Sequence, residues 1–348
     1  MGRVDHRAEV RAISEIQPYP RKRKTSAELL YGVSADISRD FFGKGGHISE
    51  KQEQTVGLCD GLRIFFILSE VSFEVMFYKD GILQRSSLLD ELPMVYHGFS
   101  SRAGGRSTLP HTYSLNLSRG LGDPDEVVRE NLEIFARAVS CGTYGGEATV
   151  TAHQIHSAKL RTLTRDNAGE GFDRPSGEDG DGFVTCDTGV MPIARAADCV
   201  PILLGGVRED GSPAVAAVHA GWRGTVAGIA AVAARRLLEE GCAPSTLRVA
   251  IGAHIGFCCY EVGDDFFDEV RTLCGIEFAE RHVRLPSGGG KRHADLTSMN
   301  AELLLSAGLT EAQLDVSPDC TMCRSDVYYS HRATHGNRGV HGCGICVG

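Results

Sequence analysis

Residues Asp181–Gly206 read DGFVTCDTGVMPIARAADCVPILLGG, and after a charged turn Ala214–Gly224 read AVAAVHAGWRG. Two apolar runs, Val200–Leu204 and Ala214–Val218, each adjoin one reactive residue: Cys199 opens the first and His219 closes the second. Short apolar runs bounded by Gly, Asp and Pro have the length and composition of buried strands. If the two strands pair, Cys199 and His219 meet at one edge of a sheet. A thiolate and an imidazole on rigid backbone form either part of a metal site or a nucleophile with its base. A third donor lies upstream at His156, in TAHQIHSAKL after the strand-like Ala148–Ala152, with His153 as the reserve. Three protein ligands with an open position are what a catalytic zinc uses.

Working outward, strands and helices alternate, which marks the class as α/β with a mixed sheet. Val128, Leu132, Phe135 and Val139 recur at helical spacing and predict a helix over Asp125–Val139, capped by Asp123–Pro124. Residues 165–182, rich in Gly, Asp and Glu, read as a loop. Beyond the central stretch come a helix over Thr225–Glu240 with Gly241 as its stop, a strand Leu247–Ile251, and a Gly-rich turn Gly252–Gly256. A helix Asp264–Cys274, a flexible cover Pro286–Gly290, a helix Leu296–Ala307 and a final strand–loop–strand complete the chain. Residues 1–60 lack a sustained period and read as a poorly ordered arm with one short helix near Ala27–Val33. Leu62–Leu68 and Ser72–Tyr78 have strand composition, and Lys79–Asp80–Gly81 is a hairpin turn signal before ILQRSSLL. Residues 61–91 are therefore expected as extra strands on a main domain spanning 92–348.

A chain of 348 residues with 42% hydrophobic and 23% charged residues has ordinary globular composition and length for one large domain. Its net charge of −9 argues against a nucleic-acid-binding surface. The opening MGRVDHRAEVRA has no apolar signal region, no apolar run is long enough for a membrane span, and GICVG is no lipidation ending. The expectation is a cytoplasmic protein whose 12 cysteines are mostly free and buried. Arg21–Lys24 reads as a solvated charge cluster.

The motifs HQIHS, ADCVPIL and VHAGWRG, in this order, resemble the laccase-domain (YfiH-type) family, also called multicopper polyphenol oxidoreductases. HGFSSRAGG (97–105), YSLNL (113–117) and GDPDEVVRENLEIFARAV (122–139) resemble the family's opening. AIGAHIGFCCYEVG (250–263), ADLTSMNAELLLSAGL (294–309) and DCTMCRSDVYYSHRATHGNRG (319–339) resemble its closing motifs. The resemblance covers roughly residues 93–345. It implies a four-layer α/β/β/α sandwich with a mixed sheet, and a purine nucleoside phosphorylase that also deaminates adenosine in some members.

The family's QxH pattern falls on Gln154 and His156, which selects His156 over His153. His156, Cys199 and His219 are then the expected catalytic and metal-holding residues. Zinc suits that mixed donor set better than copper; a true laccase needs several coppers and paired HxH patterns that this chain lacks. Phosphorolysis needs a cationic cradle for phosphate and a way to stabilise the departing purine. Arg102, in a glycine-flanked loop, is expected to contact phosphate. Asn116 is expected to hold a ribose hydroxyl or shape the Arg102 loop, and Arg223 to contact an anion or pair with a carboxylate. Purine nucleoside and phosphate are the expected partners, without nucleic acid or membrane; oligomeric state is left open. Two other readings stand beside this one: a cysteine-type hydrolase of a small peptide-like substrate, and a non-catalytic metal-binding scaffold. The usual GPAIGPCCYEVG of the family here reads GAHIGFCCYEVG, so His254 and Phe257 alter the expected rim. The adjacent Cys258 and Cys259 read as packing, being poor joint ligands for one metal. Cys320-x₂-Cys323 and Cys343-x₂-Cys346 have zinc-ribbon spacing and mark a second, structural-zinc possibility.

Overall fold

The computed structural model describes residues 77–348. In chain order the strands are β1 (Phe77–Asp80), β2 (Leu83–Ser86), β3 (Val95–Ser100), β4 (Thr149–Val150), β5 (Leu160–Leu163), β6 (Gly182–Thr185), β7 (Met191–Ala196), β8 (Val200–Val207), β9 (Pro213–Ala220), β10 (Arg248–Ile251), β11 (Glu261–Val262), β12 (Val283–Arg284), β13 (Arg292–Ala294), β14 (Leu314–Val316) and β15 (His341–Val347). The helices are α1 (Ser87–Asp90), α2 (Asp125–Val139), α3 (Trp222–Val226), α4 (Ile229–Glu239), α5 (Asp264–Cys274), α6 (Ile276–His282) and α7 (Leu296–Ser306). The arm over 1–60, its short helix, the strand Leu62–Leu68 and the start of Ser72–Tyr78 lie outside the described residues.

One six-stranded sheet runs β1-β2-β3-β15-β7-β4 and a second runs β14-β10-β8-β9-β6-β5. The strands β8 and β9 pair antiparallel along their full length, from Val200 opposite Ala220 to Val207 opposite Pro213. Their side chains alternate between two cores, as the period of a strand requires. Leu203, Val215 and Ala217 pack with Phe99, Ala194, Cys343 and Ile345 of the other sheet. Ile202, Leu204, Ala216 and Val218 point the opposite way, onto Ile229, Ala233 and Leu237 of α4 and Met299 and Leu304 of α7. The far face of the first sheet, at Met191, Ile193 and Cys346, is covered by Leu132, Phe135 and Val139 of α2. Helix, sheet, sheet and helices are thus stacked as four layers, and runs buried on both faces explain why β8 and β9 are continuously apolar.

Several local expectations are corrected. The run Ala148–Ala152 supplies only the two-residue β4, after a 3₁₀ turn at Gly146–Ala148. Beyond it the chain is tied to β7 by side chains instead of a ladder: Arg195 Nη2 donates to the Ala152 carbonyl, and the Gln154 amide exchanges two bonds with the Arg195 backbone. The helix expected over Thr225–Glu240 is two helices, α3 and α4, separated at Gly228, whose φ of +75° no helix continues through. The carboxylate of Asp123 does not cap α2; it accepts from Ser107, Thr112 and Asn116 instead. Residues 286–290 lie in the connection of the β12–β13 hairpin. The ILQRSSLL run is strand only to Ser86 and then turns into α1, while β6, β7 and α6 are elements that periodicity did not separate.

Phe135 is fully buried between α2 and the first sheet, and a side chain at Gly344 would meet its ring at 3.1 Å. Phe135→Ala is expected to cost about 3–5 kcal/mol, by lost burial and the cavity left behind. Urea denaturation followed by fluorescence checks this; an unchanged midpoint contradicts the described packing.

Candidate active site

The register that sets Pro201 opposite His219 brings Cys199, two residues before Pro201, to the end of the β8–β9 pair. Both reactive residues share the parity of Leu203 and Ala217, so they emerge on the side facing the first sheet. His156 arrives from the loop after β4. Its Nε2 lies 3.8 Å from the Cys199 sulfur. Its ring meets that of His219 edge-on, with centroids 4.9 Å apart. One donor atom from each of His156, Cys199 and His219 lies within 4.8 Å of the others.

Two glycines of GWRG explain why the His156 loop sits so close. A side chain at Gly221 would meet His156 Cδ2 at 2.4 Å, and one at Gly224 would meet the Ser157 carbonyl at 2.8 Å. His156 and Asp198 both adopt positive φ, +61° and +88°. Such backbone persists where surrounding bonds over-determine it. Asp198 has them: its carboxylate accepts from Thr321 Oγ1 at 2.6 Å and from the Arg332 amide at 2.6 Å, and its carbonyl accepts from the Ile255 amide at 3.0 Å.

The residue that organises the group is Asp181, which sequence reasoning did not assign to the site. It is fully buried. Its carboxylate accepts from the backbone amides of Ile155, His156 and Ser157 and from Ser157 Oγ. It also faces His219 Nδ1 at 2.9 Å, while its own carbonyl accepts from the His219 amide at 2.7 Å. A carboxylate on Nδ1 leaves Nε2 as the ring atom directed at Cys199, the arrangement that orients a metal ligand or a catalytic base. The only sequence signal was an Asp-Gly pair opening the strand β6.

The electrostatics follow from this geometry. Burial alone pushes the Cys199 thiol up, but the charge of His219 and the hydrogen bonds of both histidines outweigh it and bring it down to about 6. Burial likewise disfavours the His219 imidazolium, yet the Cys199 thiolate and the Asp181 carboxylate raise it to about 9. Asp181 is held below the usual carboxylate range: burial opposes this, and the bonds from His219 and Ser157 overcome it.

The remaining expected residues are placed differently. Arg102 donates to the carbonyls of Tyr113, Ser325 and Pro110 and covers the Tyr329 ring at 5.1 Å, joining two loops. Asn116 is buried, and its amide is spent on Ser118, Asp123 and Val340. Arg223 lies over the Trp222 ring at 4.2 Å and 3.9 Å from Glu269. His153 is exposed, 3.4 Å from Asp179, and not part of the group. His254 is buried between the Gly252 carbonyl and Thr297 Oγ1, away from the expected rim role. Cations nearer the triad are Arg332, over the Tyr260 ring at 5.3 Å, and Arg338. Arg338 Nε is buried without a partner, and its guanidinium feels the charges of Asp198 and Cys199. Burial pushes the Tyr260 hydroxyl up, and the negative charges of Cys199 and Asp198 add to this.

The donor set suits a bound metal: a thiolate and two imidazoles converge, and one imidazole has its second nitrogen on a carboxylate. Comparison with known proteins gives the same frame. The family model described as multi-copper polyphenol oxidoreductase laccase matches residues 96–347. The purine nucleoside phosphorylase YlmD of Geobacillus stearothermophilus is 34% identical over 248 residues, covering 70% of this chain and 86% of that protein. An adenosine deaminase, RL5, from an unknown prokaryotic organism is 31% identical over 199 residues, covering 56% of this chain and 74% of that one. The crystal structure of the Geobacillus YlmD superposes with a TM-score of 0.69 at 31% identity, covering 79% of this chain and 99% of that one. The chain described here belongs to the multi-copper polyphenol oxidoreductase laccase family, the group of the YfiH and YlmD proteins.

Proposed function

We propose that this chain is a purine nucleoside phosphorylase, releasing free base and ribose 1-phosphate, with hydrolytic deamination of adenosine as a second activity. The observation that carries the reading is the convergence of His156, Cys199 and His219 around one point, backed by Asp181, in a chain similar to YlmD. His156, Cys199 and His219 would hold zinc, which supplies Lewis-acid charge when bound. The mixed sulfur and nitrogen donors favour it over copper.

In phosphorolysis a phosphate oxygen bonds to the ribose C1′ and the bond from C1′ to the purine breaks. The electron pair and a proton end on the base. Arg338 is the cation whose unspent, buried Nε supports a phosphate contact beside Cys199. Arg102 is kept as a contributor through the N–H groups it does not commit to carbonyls, while its bonds position the loops at Tyr113 and Ser325. Tyr260, kept protonated by burial, offers a hydroxyl to the departing base. Arg223, stacked on Trp222, adds positive charge that is felt at Tyr260 and favours anionic ligands. The deaminase reading rests on the relative named for that activity; there water replaces phosphate as nucleophile, its oxygen bonds to C6 of the purine, and the C6–N bond breaks so that the amino group leaves as ammonia with a proton from the water. A cysteine hydrolase remains the enzymatic competitor because a Cys199 thiolate and a His219 imidazolium form a matched pair.

The direct assay incubates the protein with adenosine or inosine, with and without phosphate, and follows products by chromatography. Free base released only with phosphate is expected, and Cys199→Ala is expected to abolish it; full phosphorolysis by that variant contradicts the reading. Arg338→Ala is expected to raise the KM for phosphate by roughly tenfold or more, the loss of a charge-assisted contact. Arg102→Ala is expected to lower Tm as well, because it cuts the bonds between two loops. An unchanged phosphate KM in Arg338→Ala excludes Arg338 from the phosphate site.

The pH behaviour of the metal-free protein supplies a further check. A folded thiol lowered to about 6 is thiolate above that pH and loses reactivity as pH falls through it. Alkylation of Cys199 is therefore expected to reach half its maximal rate near pH 6, where an unperturbed thiol does so near about 8.5. Asp181→Asn, by removing the charge behind His219, is expected to move that midpoint upward. A midpoint unmoved by the substitution argues against coupling through His219.

A further inference from the structure

A second group of donors lies at the rim of the site, and the catalytic reading does not use it. Cys258, Cys259, Cys320 and Cys323 place all four sulfurs within 4.8 Å of one another. Cys323 Sγ is 3.6 Å from Cys258 Sγ and 3.4 Å from Cys259 Sγ. A tetrahedron of sulfurs about 2.3 Å from a central zinc has edges of about 3.8 Å. The spacing fits such a tetrahedron and is far beyond the about 2.05 Å of a disulfide bond.

The backbone explains how adjacent cysteines converge. Residues 256–260 form a tight turn in which the amides of Cys259 and Tyr260 both donate to the Gly256 carbonyl. Cys320–Arg324 form a second turn, closed by the Arg324 amide on the Cys320 carbonyl. Cys320 Sγ accepts from the Gly256 amide at 3.2 Å and is faced by the amides of Met322 and Cys323. Amides aimed at the first sulfur of a C-x₂-C turn stabilise a ligating thiolate, because each donates toward negative charge. Simple apolar packing is a poor account of the group, since Cys258 and Cys323 are exposed. The alternative pairing with Cys343-x₂-Cys346 is excluded: those residues lie on β15, where a spacing of three sends one side chain to each face. Cys343 packs between the sheets and Cys346 against α2.

We propose that Cys258, Cys259, Cys320 and Cys323 form a tetrathiolate site for a structural zinc ion, distinct from the His156–Cys199–His219 group. It staples the Gly252–Tyr260 rim to the loop that carries Arg332. The stapled segments reach the active site directly. Thr321, between the second pair of cysteines, donates its hydroxyl to Asp198 and its amide to the His254 carbonyl. Tyr260 follows Cys259 in sequence and stands beside Cys199.

Two experiments on the full chain test this. Cobalt replaces zinc in tetrahedral sites and reports sulfur ligands by thiolate-to-metal charge-transfer absorption. A Cys199→Ala variant reduced and loaded with Co²⁺ is expected to keep one equivalent with a tetrathiolate spectrum. Adding Cys320→Ser and Cys323→Ser in that background is expected to remove both the spectrum and that equivalent. Loss of the spectrum with Cys199→Ala alone, or its persistence after the double substitution, overturns the proposal. Should the multiple variant fail to fold, the unaltered protein decides by iodoacetamide footprinting and mass spectrometry. With Zn²⁺ bound, all four cysteines are expected to resist alkylation until a chelator is added. Equal alkylation of Cys258 and Cys323 with and without Zn²⁺, or disulfides linking the four in the zinc-supplemented protein, overturns it.

Discussion

The geometry of the active site depends on one buried carboxylate. Burying an ion costs several kcal/mol even after relaxation, so Asp181 is tolerable only because donors surround it. Three consecutive amides, one hydroxyl and one imidazole nitrogen do so. Those same bonds do the positioning. The amides hold the turn on which His156 stands in its positive-φ conformation, and the imidazole bond fixes the orientation of His219. Neither histidine reaches Cys199 by its own local preference. Both are brought there by the residue that immediately precedes β6, the strand beside β9.

Sheet parity supplies the rest. In a chain of stacked layers, a strand-end residue opens either toward the helices or toward the other sheet. Cys199 and His219 share the inter-sheet parity, so the site forms where the β8–β9 pair ends and loops from both sheets converge. Small residues allow this crowding. The glycines of GWRG let the His156 loop lie against the start of α3 at distances no side chain permits. The strain at Asp198 is offset by bonds that connect Cys199's neighbour to Thr321 and Arg332.

What was legible in the sequence follows the range of each signal. Amphipathic periods of eleven to fifteen residues define α2 and α5 to the residue, because a helical stripe is a local property. The β8 and β9 runs were legible as short apolar segments flanking Cys199 and His219. The break at Gly228 was hidden by alanines that keep the helical stripe on both sides of it. Asp181 was invisible for another reason: its partners stand 24 to 38 positions away, and no periodicity links them. Arg102 and Asn116 were legible as motif members but not in their contacts: beside partners within eleven positions, each also bonds a loop more than two hundred positions away, Arg102 at Ser325 and Asn116 at Val340. The four cysteines show the same limit. Spacing alone matched Cys320 and Cys323 to the later C-x₂-C, whereas the fold matches them to Cys258 and Cys259.

The family's description invokes several coppers and polyphenol oxidation, and the donor chemistry here bears on that directly. Electron transfer from a phenol through a multicopper centre needs imidazole-rich sites close enough to pass electrons in sequence. Among the described residues, two groups of three or more potential ligands gather: one of two histidines and a cysteine, the other of four cysteines. Three of the other buried histidines have partners of different kinds, and the fourth, His341, packs against the rings of Tyr328 and Tyr329. His97 accepts from the Ser86 amide, His254 sits between a carbonyl and a hydroxyl, and His282 lies between Ser298 and Glu302. Thiolate-rich and mixed thiolate–imidazole sites are typical zinc chemistry, in which the ion changes no oxidation state. A carboxylate behind His219 and unspent cationic donors beside Cys199 are the equipment of polar group transfer. The arrangement therefore favours chemistry on a charged, oxygen-rich substrate over electron removal from an apolar ring.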